Sequence, residues 1–320
     1  EQGANKVINP NNMLASATWT PIGPMGGMSG QAGNQFLKAG RLNFITIDPN
    51  NPNNLWVGAP AGGLWLSVNA GISWTTNTDQ LTVTGCTDLA IDPTNSNIMY
   101  LATGDGNAGD TRSIGVLKSL DGGLTWNTTG MTYPVTSNFS IRRLIINPSN
   151  TQILLAATAS GMYRTINGGL NWSVVASGNF YDAEFKPGDP NTVYIAGNSF
   201  RVSTNGGASF TTVSTGITTG AQRMAIAVTP ADANYVYVLA SSSANSGFLG
   251  FYRSTNSGTT FTQMAASPNL LGWSSTGNDS GGQGWYDLCV AASPLNRDEV
   301  VTGGVNVWRT TDGGTSWSIS

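Results

Sequence analysis

The chain has 320 residues, only 10% of them charged, with 14 Lys and Arg against 17 Asp and Glu and a formal net charge of −3. That balance gives no electrostatic reason to bind nucleic acid, and no apolar run approaches the roughly 18 residues needed to span a bilayer, so membrane insertion is not expected. With 41 Gly and no His, the composition suits a turn-rich β protein and removes Ser-His-Asp and Cys-His nucleophilic chemistry together with most zinc sites.

In chain order, residues 1–40 read as an N-terminal extension with one outer strand at 19–22, Trp19-Thr-Pro-Ile22. Residues 41–320 then repeat one pattern six times. Alternating apolar runs close on Pro49, Pro93, Pro148, Pro187, Pro230 and Pro294, and a second run follows each, as in Leu55-Trp-Val-Gly58 and Val193-Tyr-Ile-Ala196. In phase with them runs the motif Ser/Thr-x-Asp/Asn-x-Gly-x-x-Trp/Phe, whose third positions are Asn69, Asp121, Asn167, Asn205, Asn256 and Asp312. A tight hairpin turn needs each of these residue types: the Asp or Asn oxygen accepts turn amides, the Gly takes a positive φ, and the aromatic opens the next strand facing inward. The motif is therefore a structural staple. It predicts that Trp74, Trp126, Trp172, Phe210, Phe261 and Trp317 are buried.

Successive third positions lie 52, 46, 38, 51 and 56 residues apart, close to the ~40–50 residues of a four-stranded propeller blade. The fold class is thus all-β, a β-propeller with blades near 41–77, 86–128, 141–176, 180–213, 223–264 and 287–320. The unpartnered Trp19 strand and the end at Ser320, three residues past Trp317, lead us to expect a larger ring. Six blades are visible, and we expect them to be part of a seven- or more-bladed or double propeller, with the chain continuing beyond Ser320 or the Trp19 strand closing the last blade. Strand direction puts the Pro turns and motif turns on one face, here the bottom. The long segments 104–115, 131–140, 241–250 and 267–285 fall on the top, where function is expected.

Counting back from the blade proline, Asp88, Arg143 and Asp182 sit five residues before it and Arg223 and Asp287 seven. All share one strand parity, so they are expected at one central channel, either as a ring of inter-blade salt bridges or as a polar ligand pocket. Asp88, Asp182 and Asp287 also supply the two carboxylates that glycoside hydrolysis needs. The loop Asp105-Gly-Asn107-Ala-Gly-Asp110 offers oxygen ligands at alternating positions, as calcium loops do, but lacks the downstream bidentate Glu; an ordinary Asx-rich loop explains it as well. Trp273, Trp285, Tyr286, Phe180, Tyr181 and Phe248 lie in or beside top loops, where they would stack on sugar rings or pack beneath the loop. Cys86 and Cys289 are the two cysteines, read as a bridge or as two buried thiols.

The repeated motif resembles the Asp box, or BNR repeat, of sialidases, xyloglucanase-type glycoside hydrolases, sortilin-type receptors and a photosystem II assembly factor. Gly62-Gly-Leu-Trp65, Gly85-Cys-Thr-Asp-Leu-Ala-Ile-Asp-Pro93, Thr103-Gly-Asp-Gly106, Gly281-Gly-Gln-Gly-Trp-Tyr286 and Trp19-Thr-Pro-Ile-Gly-Pro24 are similar to stretches of large secreted bacterial surface proteins that leave by the type IX route. This resemblance implies an extracellular or outer-surface protein, and because Glu1 is not followed by a basic and apolar leader, the numbering is expected to start after a removed signal peptide. It implies a binding module for a glycan or surface-protein ligand, handled by the type IX secretion machinery. The alternative is a xyloglucanase-like hydrolase using paired aspartates, for which Asp79, in Trp74-Thr-Thr-Asn-Thr-Asp79, is the position to inspect first. Sialidase chemistry fits worse, because the chain has only Glu1, Glu184 and Glu299. The assembly-factor class is disfavoured because no arginine patch is evident in the sequence.

Overall fold

The computed structural model describes residues 40–320, and the Trp19 strand lies outside them. Every regular element among the described residues is a strand. Blade 1 runs β1 (Phe44–Asp48), β2 (Asn51–Ala59), β3 (Gly63–Ser67) and β4 (Thr75–Thr76), and blade 2 runs β5 (Cys86–Ile91), β6 (Met99–Thr103), β7 (Gly115–Ser119) and β8 (Asn127–Thr132). Blade 3 is β9 (Ile141–Ile146), β10 (Leu154–Thr158), β11 (Gly161–Thr165) and β12 (Ser173–Ser177), and blade 4 is β13 (Phe180–Lys186), β14 (Asp189–Gly197), β15 (Phe200–Ser203) and β16 (Thr211–Val213). Blade 5 is β17 (Ala221–Val228), β18 (Val236–Ser242), β19 (Phe248–Ser254) and β20 (Thr262–Ala265), and blade 6 is β21 (Cys289–Ala292), β22 (Val300–Gly303), β23 (Val307–Thr310) and β24 (Ser318–Ile319). Each blade is an antiparallel meander in sequence order, so six four-stranded sheets make the β-propeller.

The repeated turn is built identically in all six blades. The Ser or Thr hydroxyl donates to the Asp or Asn Oδ1 at 2.8–2.9 Å and accepts the Gly amide at 2.8–3.1 Å. The same Oδ1 accepts the amide four residues on at 2.9–3.0 Å. These bonds satisfy turn amides that would otherwise face no strand partner. Where the acceptor is a carboxylate they favour its charged form: the Thr125 hydroxyl and amide hold Asp121 down at about 2. The Gly of the motif has φ between 75° and 101° in every copy, and at Gly258 a Cβ would come within 2.9 Å of the Tyr194 ring.

Turns of this kind dock each blade on the one before it. Phe261 of blade 5 meets Phe200 of blade 4 edge-on at 4.8 Å, and Trp317 of blade 6 meets Phe251 of blade 5 at 4.8 Å. The core is accordingly five clusters, one at each junction from blades 1 and 2 to blades 5 and 6. The expectation of six buried motif aromatics is corrected here. Only Phe261, at 6% exposure, is buried, and the other five are half-buried. The turn lies at the outer rim of the sheet, so the large indoles cover the neighbouring blade with one face and leave an edge in solvent; the Trp172 and Trp317 N–H groups bond the Gly carbonyls of their own turns.

Among the described residues no core cluster joins blade 6 to blade 1. Ile45 and Ile47 on β1, and Val301 and Val307 on blade 6, stand exposed. A cavity of about 660 Å³ opens between β1, β17 and β21, with Arg143 and Glu184 on its wall. The two cysteines do not pair: Cys86 is buried and Cys289 exposed, both as free thiols, which corrects both the bridge and the reading of two buried thiols. Burial pushes the Cys86 thiol up to about 12.

Candidate functional site

Four inner strands carry a bulge at the same level. Pairing jumps from Cys86 to Asp88 on β5, from Ile141 to Arg143 on β9, from Phe180 to Asp182 on β13 and from Ala221 to Arg223 on β17. Each jump leaves one extra residue unpaired: Thr87, Arg142, Tyr181 and Gln222. A bulge breaks strict alternation, so two consecutive side chains reach the same side. Three of the extra residues, Thr87, Arg142 and Tyr181, line a polar cavity of about 170 Å³ together with Arg143, Asp182, Glu184, Arg223, Asn43 and Asn107.

Below the rim the charges are tied across blade boundaries. Asp88, buried in blade 2, accepts the Leu144 amide of blade 3 at 2.7 Å, and Asp182 of blade 4 accepts the Ile226 amide of blade 5 at 2.7 Å. Arg143 stands among three carboxylates, at 2.5 Å from Glu184, 3.4 Å from Asp182 and 3.6 Å from Asp88. Arg223 donates to the Trp285 and Tyr286 carbonyls at 3.2 and 3.1 Å, reaching from blade 5 to the segment before blade 6. Asp88, Arg143, Asp182 and Arg223 are thus brought together. Arg143, Asp182 and Arg223 both tie blades together and line the polar cavity, whereas Asp88 ties blades without lining it.

Burial and one shared guanidinium together set the acidity of Asp182 and Glu184. Burial works against charge on Arg143, but Glu184, Asp88 and Asp182 hold it firmly protonated. Burial also raises Asp182 above the usual carboxylate range, against the pull of Arg143 and of the two amides it accepts. Glu184 is pushed up to about 7 by burial above all, with Asp182 and Asp88 adding to it, against the attraction of Arg143. A quarter of the Glu184 side chain still meets solvent. A carboxyl poised near neutrality can hold or release a proton at working pH.

Asp287 does not join this group. It precedes β21, where, with the Gln283 amide oriented to satisfy its neighbours, Gln283 donates to Asp287 Oδ2 at 2.9 Å and accepts the Trp273 Nε1 at 3.0 Å. Trp273 and Trp285 are each 48% exposed, and Trp285 leans on Tyr286 with ring centroids 5.1 Å apart. Asp79 is exposed in the connection between β4 and β5. The Asp105 carboxylate accepts the amides of Asn107, Ala108 and Asp110 at 3.1–3.2 Å, and among the described residues no group of three or more acidic or Cys side chains is placed to hold a metal.

Two residues of the site were missed in the sequence. Glu184 lies two residues after Asp182 with the same parity, so strand alternation points it to the same channel. Arg142 has the opposite parity to Arg143 and enters only through the bulge. With Arg143 and Arg223 it puts three arginines on one cavity, which corrects the expectation that no arginine patch exists.

No family model matches the chain. It is 32% identical to a xyloglucanase of Paenibacillus sp. over 125 residues, 37% of this chain and 12% of that protein. It is 29% identical to a xyloglucanase of Hypocrea jecorina over 146 residues, 42% of this chain and 17% of that protein. The chain therefore spans less than a fifth of the length of these relatives. Among solved structures, the GH74 xyloglucanase from Xanthomonas campestris superposes with a TM-score of 0.65 at 17% identity, over 88% of this chain and 45% of that one. That likeness shows the fold: six blades of a β-propeller whose neighbours are xyloglucanases.

Proposed function

We propose that this chain is the propeller portion of a glycoside-hydrolase-like protein acting outside the cell on a β-glucan of xyloglucan type. The observation that carries the reading is the 29–32% identity to xyloglucanases over 125 and 146 residues. The polar cavity supports it. Glu184, held protonated to about 7, is suited to give a proton to the leaving glycosidic oxygen, and Asp182, which shares Arg143 with it, is the second carboxylate that such hydrolysis requires. The exposed faces of Trp273 and Trp285 suit stacking on sugar rings. The sequence resemblance adds export by the type IX route to this proposal.

Incubation with xyloglucan and a reducing-end assay test it. Oligosaccharides should be released at a rate that falls as pH rises through about 7, where Glu184 loses its proton, and that falls again at low pH as Asp182 is protonated. Glu184→Gln should lower the rate about 100-fold while the polymer still binds. Binding with no release would replace hydrolysis by a pure binding module. That second reading is favoured by the amide ties on Asp88 and Asp182, which spend carboxylate oxygens on structure.

A further inference from the structure

The rim of the polar cavity holds a charge pattern that hydrolysis does not use. The Arg142 guanidinium lies 3.7 Å from the centroid of the Tyr181 ring and the Arg223 guanidinium 4.8 Å from it. Both are anchored by neutral groups: Arg142 bonds the Gly106 carbonyl at 3.1 Å and the Asn179 amide oxygen, and Arg223 bonds the Trp285 and Tyr286 carbonyls. Among the described residues the ion pairs include neither of them with a carboxylate. The acidic group facing Arg223 is Asp182, whose oxygens are already engaged by the Ile226 and Ala183 amides and by Arg143.

Two cations gathered at one aromatic ring with no carboxylate in an ion pair with either repel each other, and both lose part of their hydration. Burial lowers the proton affinity of both, Tyr181 and, for Arg223, Asp182 work against it, and Arg142 adds to the lowering at Arg223. The Arg223 Nε has no hydrogen-bond partner, and neither does the Asn43 Oδ1 on the same cavity. The rim thus carries two guanidiniums with no carboxylate in an ion pair with either, together with a spare donor and a spare acceptor. A planar carboxylate matches guanidinium donors, and hydroxyl groups on the same ligand match an acceptor such as Asn43. Trp285 adds a half-exposed ring next to the carbonyl that Arg223 holds.

We propose that Arg142 and Arg223, gathered on Tyr181, form a carboxylate-binding subsite that takes an acidic sugar, a uronate, at the top of the channel. The choice of a sugar rests on the glycan reading above; the choice of a carboxylate rests on the arginine pair alone. A bound uronate would place its carboxylate between the two guanidiniums, with its ring toward Trp285.

Titration calorimetry on the whole chain tests the subsite, with methyl β-glucuronide as probe, methyl β-glucoside as its neutral counterpart, and acetyl-dialanine as a carboxylate without a sugar. The glucuronide should bind about tenfold or more tighter than the glucoside, and it should weaken as salt is raised from roughly 50 to 500 mM. R142Q and R223Q should each weaken it by about tenfold with melting transitions close to the parent, and R223K should recover part of the loss because the charge returns without the fork. Equal binding of glucuronide and glucoside would overturn the subsite, as would equal binding by folded R142Q and R223Q. Acetyl-dialanine binding as tightly as the glucuronide would overturn the sugar and leave a peptide-carboxylate site. Release of reducing ends from neutral xyloglucan is a separate readout, so glucuronide binding without hydrolysis sinks only the hydrolase reading. Hydrolysis without glucuronide binding sinks only this one.

Discussion

Arg143→Met should lower the melting temperature by on the order of 5–10 °C, from a loss of about 3 kcal/mol. Arg143 is the one cation within 4 Å of Asp88, Asp182 and Glu184 among the described ion pairs. Removing it leaves three carboxylates in one channel, of which Asp88 has a side chain only 5% exposed. A third of the Arg143 side chain meets solvent, which keeps the loss at the lower end for broken buried pairs. Its pH dependence has a definite sign. Without the guanidinium, the pKa values of Asp182 and Glu184, already raised by burial, rise further above the unfolded values. Such groups stabilise the fold below the unfolded pKa, and that contribution is lost as pH rises through the folded one. The deficit should therefore be larger at pH 8 than at pH 5, and Arg143→Lys should recover part of it. Thermal melts at the two pH values check this; an unchanged melting temperature at both would show that the carboxylates do not depend on Arg143.

Phe261→Ala should cost about 3–5 kcal/mol, the range for a buried aromatic truncated in a core. The ring is 6% exposed, sits edge-on to Phe200 and belongs to the cluster that joins blades 4 and 5. Gly258 brings that turn so close to Tyr194 and Phe200 that a Cβ there would meet ring atoms at 2.9–3.3 Å, so the cavity left by the ring has little freedom to collapse. Trp74→Ala, at the equivalent turn of blade 1, should cost much less, because Trp74 is half-buried and belongs to none of the core clusters. Chemical unfolding followed by tryptophan fluorescence orders the two variants. Equal losses would mean that docking on the preceding blade is not what gives the motif aromatic its weight.

The fold was legible because its determinants are local. Eight residues carry the whole hydrogen-bond scheme of each turn, from the Ser or Thr hydroxyl to the amide four residues past the Asp or Asn, and strand alternation is read at a spacing of two. The blade prolines placed Asp88, Arg143, Asp182 and Arg223 at one level for the same reason. The half-burial of Trp126 and Trp172 was not legible, since it depends on how far each turn overhangs the neighbouring blade.

By itself, then, the sequence determined the six blades, the turn chemistry, the absence of histidine chemistry and the convergence of four charges. The tertiary structure alone decided what those charges do. The bulges that turn Arg142 and Tyr181 into the cavity are defined by pairing with β10 and β14, which no single strand encodes. Glu184 near 7 arises from burial together with Asp182 and Asp88, against the attraction of Arg143, and Asp88 is 96 residues away in the chain. Asp287 has the right parity, yet pairing on β21 begins only at Cys289, so it turns to Gln283 instead. Electrostatic coupling and bulge placement act through space between strands, so they exist only once the blades have packed.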